Sequence, residues 1–401
     1  MAGPAQAGAN GAAGAGRVAA SGIAAGTEAV AAPPLVRWEI GRVAAVLRDR
    51  PGVQELLVET GGGRTPALHY PALWGPAAPG DRVLLNTTAV HLGLGTGGQH
   101  FVAAVLSRPS SPELPFPGRA AGHVMKLRYT PGQVRVHAAE EPTSPYRARL
   151  EAFTDLGGLP VIACSVHSLL APVALGWRTV RSDPLVYVMT DGGALPAWYS
   201  RLANDLCERG WLAGVITVGH AFGGDLEAVT LHSGLALAKV ALDAAGVVVA
   251  MGPGVVGTGT ALGTTAIEQG IALDAAAALG GRGVACPRIS FADRRPRHRG
   301  ISHHTLTALC TIAHRPATVV LPALGGREEA ELAAQAARAG LAERHTLVWE
   351  PTAPLRERLE RHAALLRSMG RSFDDDPAFF LAGAAAGAVA ARLAAPPARP
   401  D

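Results

Sequence analysis

A chain of 401 residues, 48% hydrophobic and 17% charged, is too apolar to be disordered as a whole and long enough for one large core plus a smaller accessory unit. A net charge of +4 and an arginine run at 294–299 without interleaved aromatics argue against general nucleic-acid binding. Four cysteines, Cys164, Cys207, Cys286 and Cys310, lie far apart with no C-x-x-C pair, which excludes a zinc knuckle, a thioredoxin-type motif and a disulfide framework, and fits reduced thiols in a cytoplasmic protein.

Residues 1–34 are Ala/Gly-rich and aperiodic, unable to bury enough apolar area to offset ordering entropy, and read as a disordered tail rather than a secretory signal. Over 35–108 the texture changes to short β-type runs at 42–47, 55–59, 67–70, 82–86 and 101–106, broken by turns such as Pro79-Gly80-Asp81. Closely spaced strands with no helical pattern between them predict a small all-β barrel-like domain. A proline-rich linker is expected at 109–118. Over 119–395 the pattern alternates, with strand-length apolar runs at 160–166, 185–189, 212–218, 246–251, 283–289, 318–321 and 345–349. Helical stretches fall between and after them, at 168–180, 196–209, 230–244, 262–279, 303–313, 327–340 and 353–367. Strand then helix, repeated, predicts an α/β fold with a doubly wound, mainly parallel sheet. The apolar stretch 247–279 is interrupted by glycines, Glu268 and Asp274, so no membrane span is expected.

Ligands of such sheets bind at the carboxyl ends of strands, which directs attention to the residues following each one. After 185–189 comes Thr190-Asp191-Gly192-Gly193, where Asp191 is either the cap of a turn or a base, metal ligand or hydroxyl acceptor. After 212–218 comes His220, with Asp225 near in sequence, a loop histidine able to exchange protons near neutral pH. After 246–251 comes a run in which Gly252, Gly254 and Gly257 satisfy G-x-G-x-x-G. Pro253 removes one N–H and no acidic residue ends a next strand, so this is no dinucleotide fingerprint, and no P-loop lysine follows. Tight backbone packing accounts for such glycines; so does close approach of an anion to Gly252, Gly254, Gly257 and Gly259, with Thr258 and Thr260 as hydroxyl donors.

The segment His298-Arg299-Gly300-Ile301-Ser302-His303-His304-Thr305 carries the most chemistry. Ser302 is placed to cap the following helix, leaving His303 and His304 in its first turn, where the helix dipole favours neutral imidazoles. Neighbouring helical residues point about 100° apart, so one pocket is expected to use one of the two. Asp376-Pro377 reads as the start of a C-terminal Ala-rich helix. No G-x-S-x-G elbow is present.

The strings at 79–88, 187–197, 219–227 and 298–304 together resemble a bacterial family catalogued as domain of unknown function 3866, over nearly everything from about Val36 to the C-terminal Ala-rich helix. The resemblance implies no activity. The residues themselves lead to an enzyme acting on a small anionic ligand, phosphorylated or nucleotide-like. The glycine run, Arg299 and Ser302 would hold it, and Asp191, His220, His303 or His304 would move protons or bind a metal. The alternative is a non-catalytic ligand-binding or regulatory protein using the same pocket. Cofactor, metal and oligomeric state are left open.

Overall fold

The computed structural model describes residues 34–94, 97–108 and 122–394. Apart from Pro34, the expected tail lies outside the described residues, and so does the expected linker at 109–118.

Five strands close into a barrel, β1 (Trp38–Arg50), β2 (Val53–Thr60), β3 (Gly63–His69), β4 (Arg82–Asn86) and β5 (His100–Val105), in the order β1-β2-β3-β5-β4. Alternation builds it: Val43, Leu56, Val58, Ala67, Val83, Leu85, Val102 and Val105 all turn inward. β1 pairs with both β2 and β4, and register shifts near Val43 and Val46 bend it round the closure. The barrel is tied to the rest of the chain at its β1–β2 turn. The Trp198 ring lies so close to Gly52 that any Cβ there would fall 2.3 Å from it, and Arg50 donates to the Trp198 carbonyl at 2.6 Å.

The larger part is built on eight strands, β8 (Pro160–Cys164), β9 (Leu185–Thr190), β10 (Leu212–Thr217), β11 (Leu226–Glu227), β12 (Val247–Met251), β13 (Arg282–Cys286), β16 (Thr318–Ala323) and β17 (Thr346–Pro351). Their order is β11-β10-β9-β12-β8-β13-β16-β17, with every pairing parallel. The central strands carry apolar side chains on both faces, as a sheet covered on both sides requires. One face packs the helices Leu170–Trp177, Arg201–Glu208 and Pro377–Leu393. The other packs Leu231–Leu242, Glu268–Ala278 and Gly326–Arg338. The C-terminal Ala-rich helix is buried nearly throughout, and its small residues let it lie directly on the helix Leu170–Trp177.

Three departures from the sequence reading bear on the site. The run expected at 283–289 is not one strand: β13 stops at Cys286, Pro287 breaks it, and β14 (Ile289–Ser290) pairs antiparallel with β15 (Gly300–Ile301). That short hairpin carries Arg288 and His298 to the sheet's carboxyl edge. The helix expected at 303–313 is one α-turn, His303–Thr307, continued by a π-turn, Ala308–Ile312. A hairpin of β6 (Val124–Lys126) and β7 (Val134–Val136) was not foreseen, because three-residue strands carry too little alternation to read. No helix among the described residues is long and apolar enough to cross a membrane.

Candidate functional site

β9 and β12 are neighbours whose onward connections leave in opposite directions, toward β10 and toward β13, so a crevice opens between their carboxyl ends. The loops bearing Asp191, His220, Gly254 and His303 all emerge on this edge because all four preceding strands run parallel. They form a chain of contacts with two chemically different halves.

The first half is acidic. Asp191 accepts the His220 backbone N–H at 3.0 Å, and Thr190 donates its hydroxyl to Glu268. Burial raises the Glu268 carboxyl, with Asp191 adding to the shift and the Thr190 hydrogen bond opposing it. Glu268 lies in the first turn of the helix after the glycine loop, where a phosphate would sit in a dinucleotide fold, so that position is already taken by a carboxyl. His220 accepts the Leu127 N–H on Nδ1 at 3.0 Å, which leaves its proton on Nε2 and makes the ring a support for the β6–β7 hairpin. Asp225 does not meet His220: it accepts the Val215 N–H at 2.8 Å on the far side of β10.

The second half is cationic and rich in imidazoles. His298, His303 and His304 gather with ring centroids 4.1 to 4.9 Å apart. Both adjacent histidines therefore enter one cluster, against the 100° argument: in a first helical turn the side chains lean back toward the N-terminus, and both meet His298 there. Ser302 caps this turn as expected, accepting the His304 N–H at 3.3 Å, and its hydroxyl also lies 2.8 Å from His298 Nδ1.

Arg288, missed in the sequence, is the cation at the centre. It is buried, ion-paired to Asp293 at 2.8 Å, and donates to His298 Nδ1 at 2.6 Å. A guanidinium only donates, so His298 Nδ1 is an acceptor and its proton sits on Nε2. Thr264 spends its hydroxyl hydrogen on the Val256 carbonyl, so the 3.5 Å contact with His304 Nδ1 makes that nitrogen the donor and leaves His304 Nε2 bare. The buried Nε2 atoms of His303 and His304 have no hydrogen-bond partner. All three rings are held neutral. Burial first, then Arg288 and Arg295, brings His298 down to about 3. Burial, His303 and nearby arginines bring His304 down to about 4. His303 is lowered by burial and by Arg297, Arg288 and Arg295. The only sequence signal for Arg288 was a lone arginine just past an apolar run, and reading that run through to 289 hid it.

Arg299 turns the other way, pairing with Glu331 at 3.3 Å and lying over the Phe291 ring. Arg297 takes the position expected of Arg299, beside Gly259 in the glycine loop. That loop folds on itself: Thr258 donates its backbone N–H and its hydroxyl to the Gly263 carbonyl, so the hydroxyl is turned inward. Gly252 packs against Met189 and Leu195, whereas Gly254 faces open space and is required by its φ of +114°. The close approach is at Gly257, where a Cβ would lie 3.1 Å from the His304 ring.

The nitrogens of the three histidines lie within 4.8 Å of one another, a spacing that can hold a metal ion. Metal-bound histidines normally donate their second nitrogen to a carboxylate or carbonyl, whereas that of His298 accepts from Arg288.

A family described as protein of unknown function (DUF3866) matches residues 66–387 of the chain. No curated protein and no solved structure matches it.

Proposed function

Because the chain belongs to the family described as protein of unknown function (DUF3866), whose description carries no activity, we propose a function from the site alone: an enzyme acting on a small phosphorylated ligand. The ligand's anionic group sits between the 252–263 loop and the three histidines. The observation that carries this is the pair of buried, unpartnered Nε2 atoms of His303 and His304, close enough to Arg288, Arg295 and Arg297 for those guanidiniums to lower both rings. An unmet buried nitrogen costs free energy unless a ligand meets it; the nearby guanidiniums attract a phosphorylated ligand, and bare His304 Nε2 calls for a hydroxyl or protonated oxygen on it. His298 offers an Nε2–H donor, and bare His304 Nε2 accepts a proton. Both rings are neutral near pH 7, so His298 meets a ligand as a donor and His304 as an acceptor.

The test is thermal denaturation of the full chain with inorganic phosphate, pyrophosphate and sugar phosphates, each with and without added zinc. A ligand at 100 times its Kd adds about 2.7 kcal/mol of stability. Phosphorylated compounds are expected to stabilise the wild type and to lose that effect in Arg297→Ala and His304→Ala. Stabilisation by zinc alone, with none from any phosphate, would replace this reading with a three-histidine metal centre, which the 4.8 Å grouping favours. Stabilisation by neither would end both.

A further inference from the structure

We propose that Ser200 and His167 form a nucleophile–base pair, at the junction of barrel and sheet, that transfers the acyl group of a small ester to Ser200 Oγ and then to water. Neither residue belongs to the histidine–arginine cluster, and the proposal is independent of the phosphate reading.

The argument rests on where each proton sits. His167 follows β8, Ser200 follows β9, and their side chains meet with Oγ 2.7 Å from Nε2. His167 Nδ1 lies 3.2 Å from the Tyr187 hydroxyl, whose own hydrogen points to the carbonyls of Ala250 and Met251 at 3.3 and 3.1 Å. Carbonyls only accept, so the Tyr187 oxygen receives the His167 Nδ1–H. Nε2 is thereby bare, and it takes the hydroxyl hydrogen of Ser200. This is the tautomer a general base needs, held by a third group, as in the nucleophile–base–orienter arrangements of acyl-transfer enzymes. Burial keeps His167 neutral, down to about 4.

Ser200 also caps the helix Arg201–Glu208, accepting the Ala203 N–H at 2.9 Å. Capping uses only an oxygen lone pair and calls for neither the histidine nor the tyrosine behind it. It also sets the serine at the positive end of a helix dipole, which stabilises charge developing on an attacked carbonyl oxygen. His167 and Ser200 line one cavity of about 300 Å³, walled on the barrel side by Arg50 and Leu68 and on the other by Tyr199 and Pro253. That volume suits a small ester.

In the first step the Oγ–carbonyl carbon bond forms as Nε2 takes the hydroxyl proton. The ester C–O bond then breaks and the departing alkoxide receives that proton. In the second step water attacks the acyl carbon and gives a proton to Nε2, and Oγ leaves and recovers it.

The experiment treats the full chain with a fluorophosphonate probe and follows adduct formation by intact mass and peptide mapping. One adduct on Ser200 is expected, forming at a rate nearly constant between pH 6 and 8 because the base stays neutral throughout. His167→Gln is expected to slow it by about 10²-fold or more, with the wild-type Tm as the check on folding. Absence of label on Ser200, or a rate unchanged in a folded His167→Gln, overturns the proposal. Should His167→Gln fail to fold, the wild-type pH profile decides, since a tenfold rise per pH unit means hydroxide-driven chemistry without a base and overturns it equally.

Discussion

Lys126 and Arg288 are both buried cations, 1% and 4% exposed, and the environments they occupy differ in kind. The Lys126 ammonium has three N–H bonds and three acceptors, Thr217 O, Ala221 O and Glu227 Oε2, at 2.6 to 3.1 Å. Glu227 is equally satisfied, accepting also from the Thr217 hydroxyl and the Gly223 N–H, both at 2.6 Å. Around Arg288 the pairing is incomplete: its Nε and the Nε2 atoms of two neighbouring histidines are buried without partners. A folded chain tolerates few such atoms, because each forgoes the hydrogen bonds it had in water. The complete network fastens the β6–β7 hairpin to the edge of the sheet; the incomplete one is where we propose that a ligand completes the pairing.

The largest expected effect tests the complete side. Lys126→Met strands the Glu227 carboxylate in a buried site and is expected to cost about 3–5 kcal/mol in chemical denaturation. Adding Glu227→Gln is expected to recover part of that loss, since the two residues are coupled. A loss under 1 kcal/mol would mean that the pair is not closed as described. A smaller effect lies on the open side: Ser302→Ala removes the cap of the histidine-bearing turn and is expected to cost about 1 kcal/mol. A loss as large as that of Lys126→Met would make the cluster structural and erase the contrast.

A third expected effect is on pH dependence. His298 at about 3 and His304 at about 4 bind fewer protons folded than unfolded between those values and the ordinary histidine range near 6.5. Stability therefore falls as pH is lowered from about 6.5 toward 4, and the loss is complete below the folded values. Asp293, depressed chiefly by its hydrogen bonds to Arg295, adds to the fall only below about 4. In Tm measurements His298→Asn is expected to lessen the decline between pH 6.5 and 4.5 by a few degrees. An unchanged slope would show that His298 is not held neutral by burial and Arg288.

Much of the architecture was legible along the chain. The barrel strands, the seven main strands of the sheet and its helices follow from alternation, helical periodicity, and glycine and proline punctuation, all carried by near neighbours. The same local information placed Asp191, His220, the glycine loop and the histidine segment on one edge of the sheet, because a parallel sheet sends every strand-end loop to the same side. The cap at Ser302 was readable for the same reason, since capping joins residues two or three apart.

What the sequence could not decide is which side chains meet. Arg288 reaches His298 only because β14 and β15 pair across a turn, and Arg299, one residue from His298, is drawn off to Glu331 by the helix Gly326–Arg338. Ser200 and His167 are 33 residues apart and become partners through the placing of β8 two strands from β9. Local patterning is sufficient for most of the elements and for the edge where their loops gather. The direction of a charged or imidazole side chain depends on hydrogen bonds and ion pairs between distant segments, and these exist only once the sheet and barrel have been assembled.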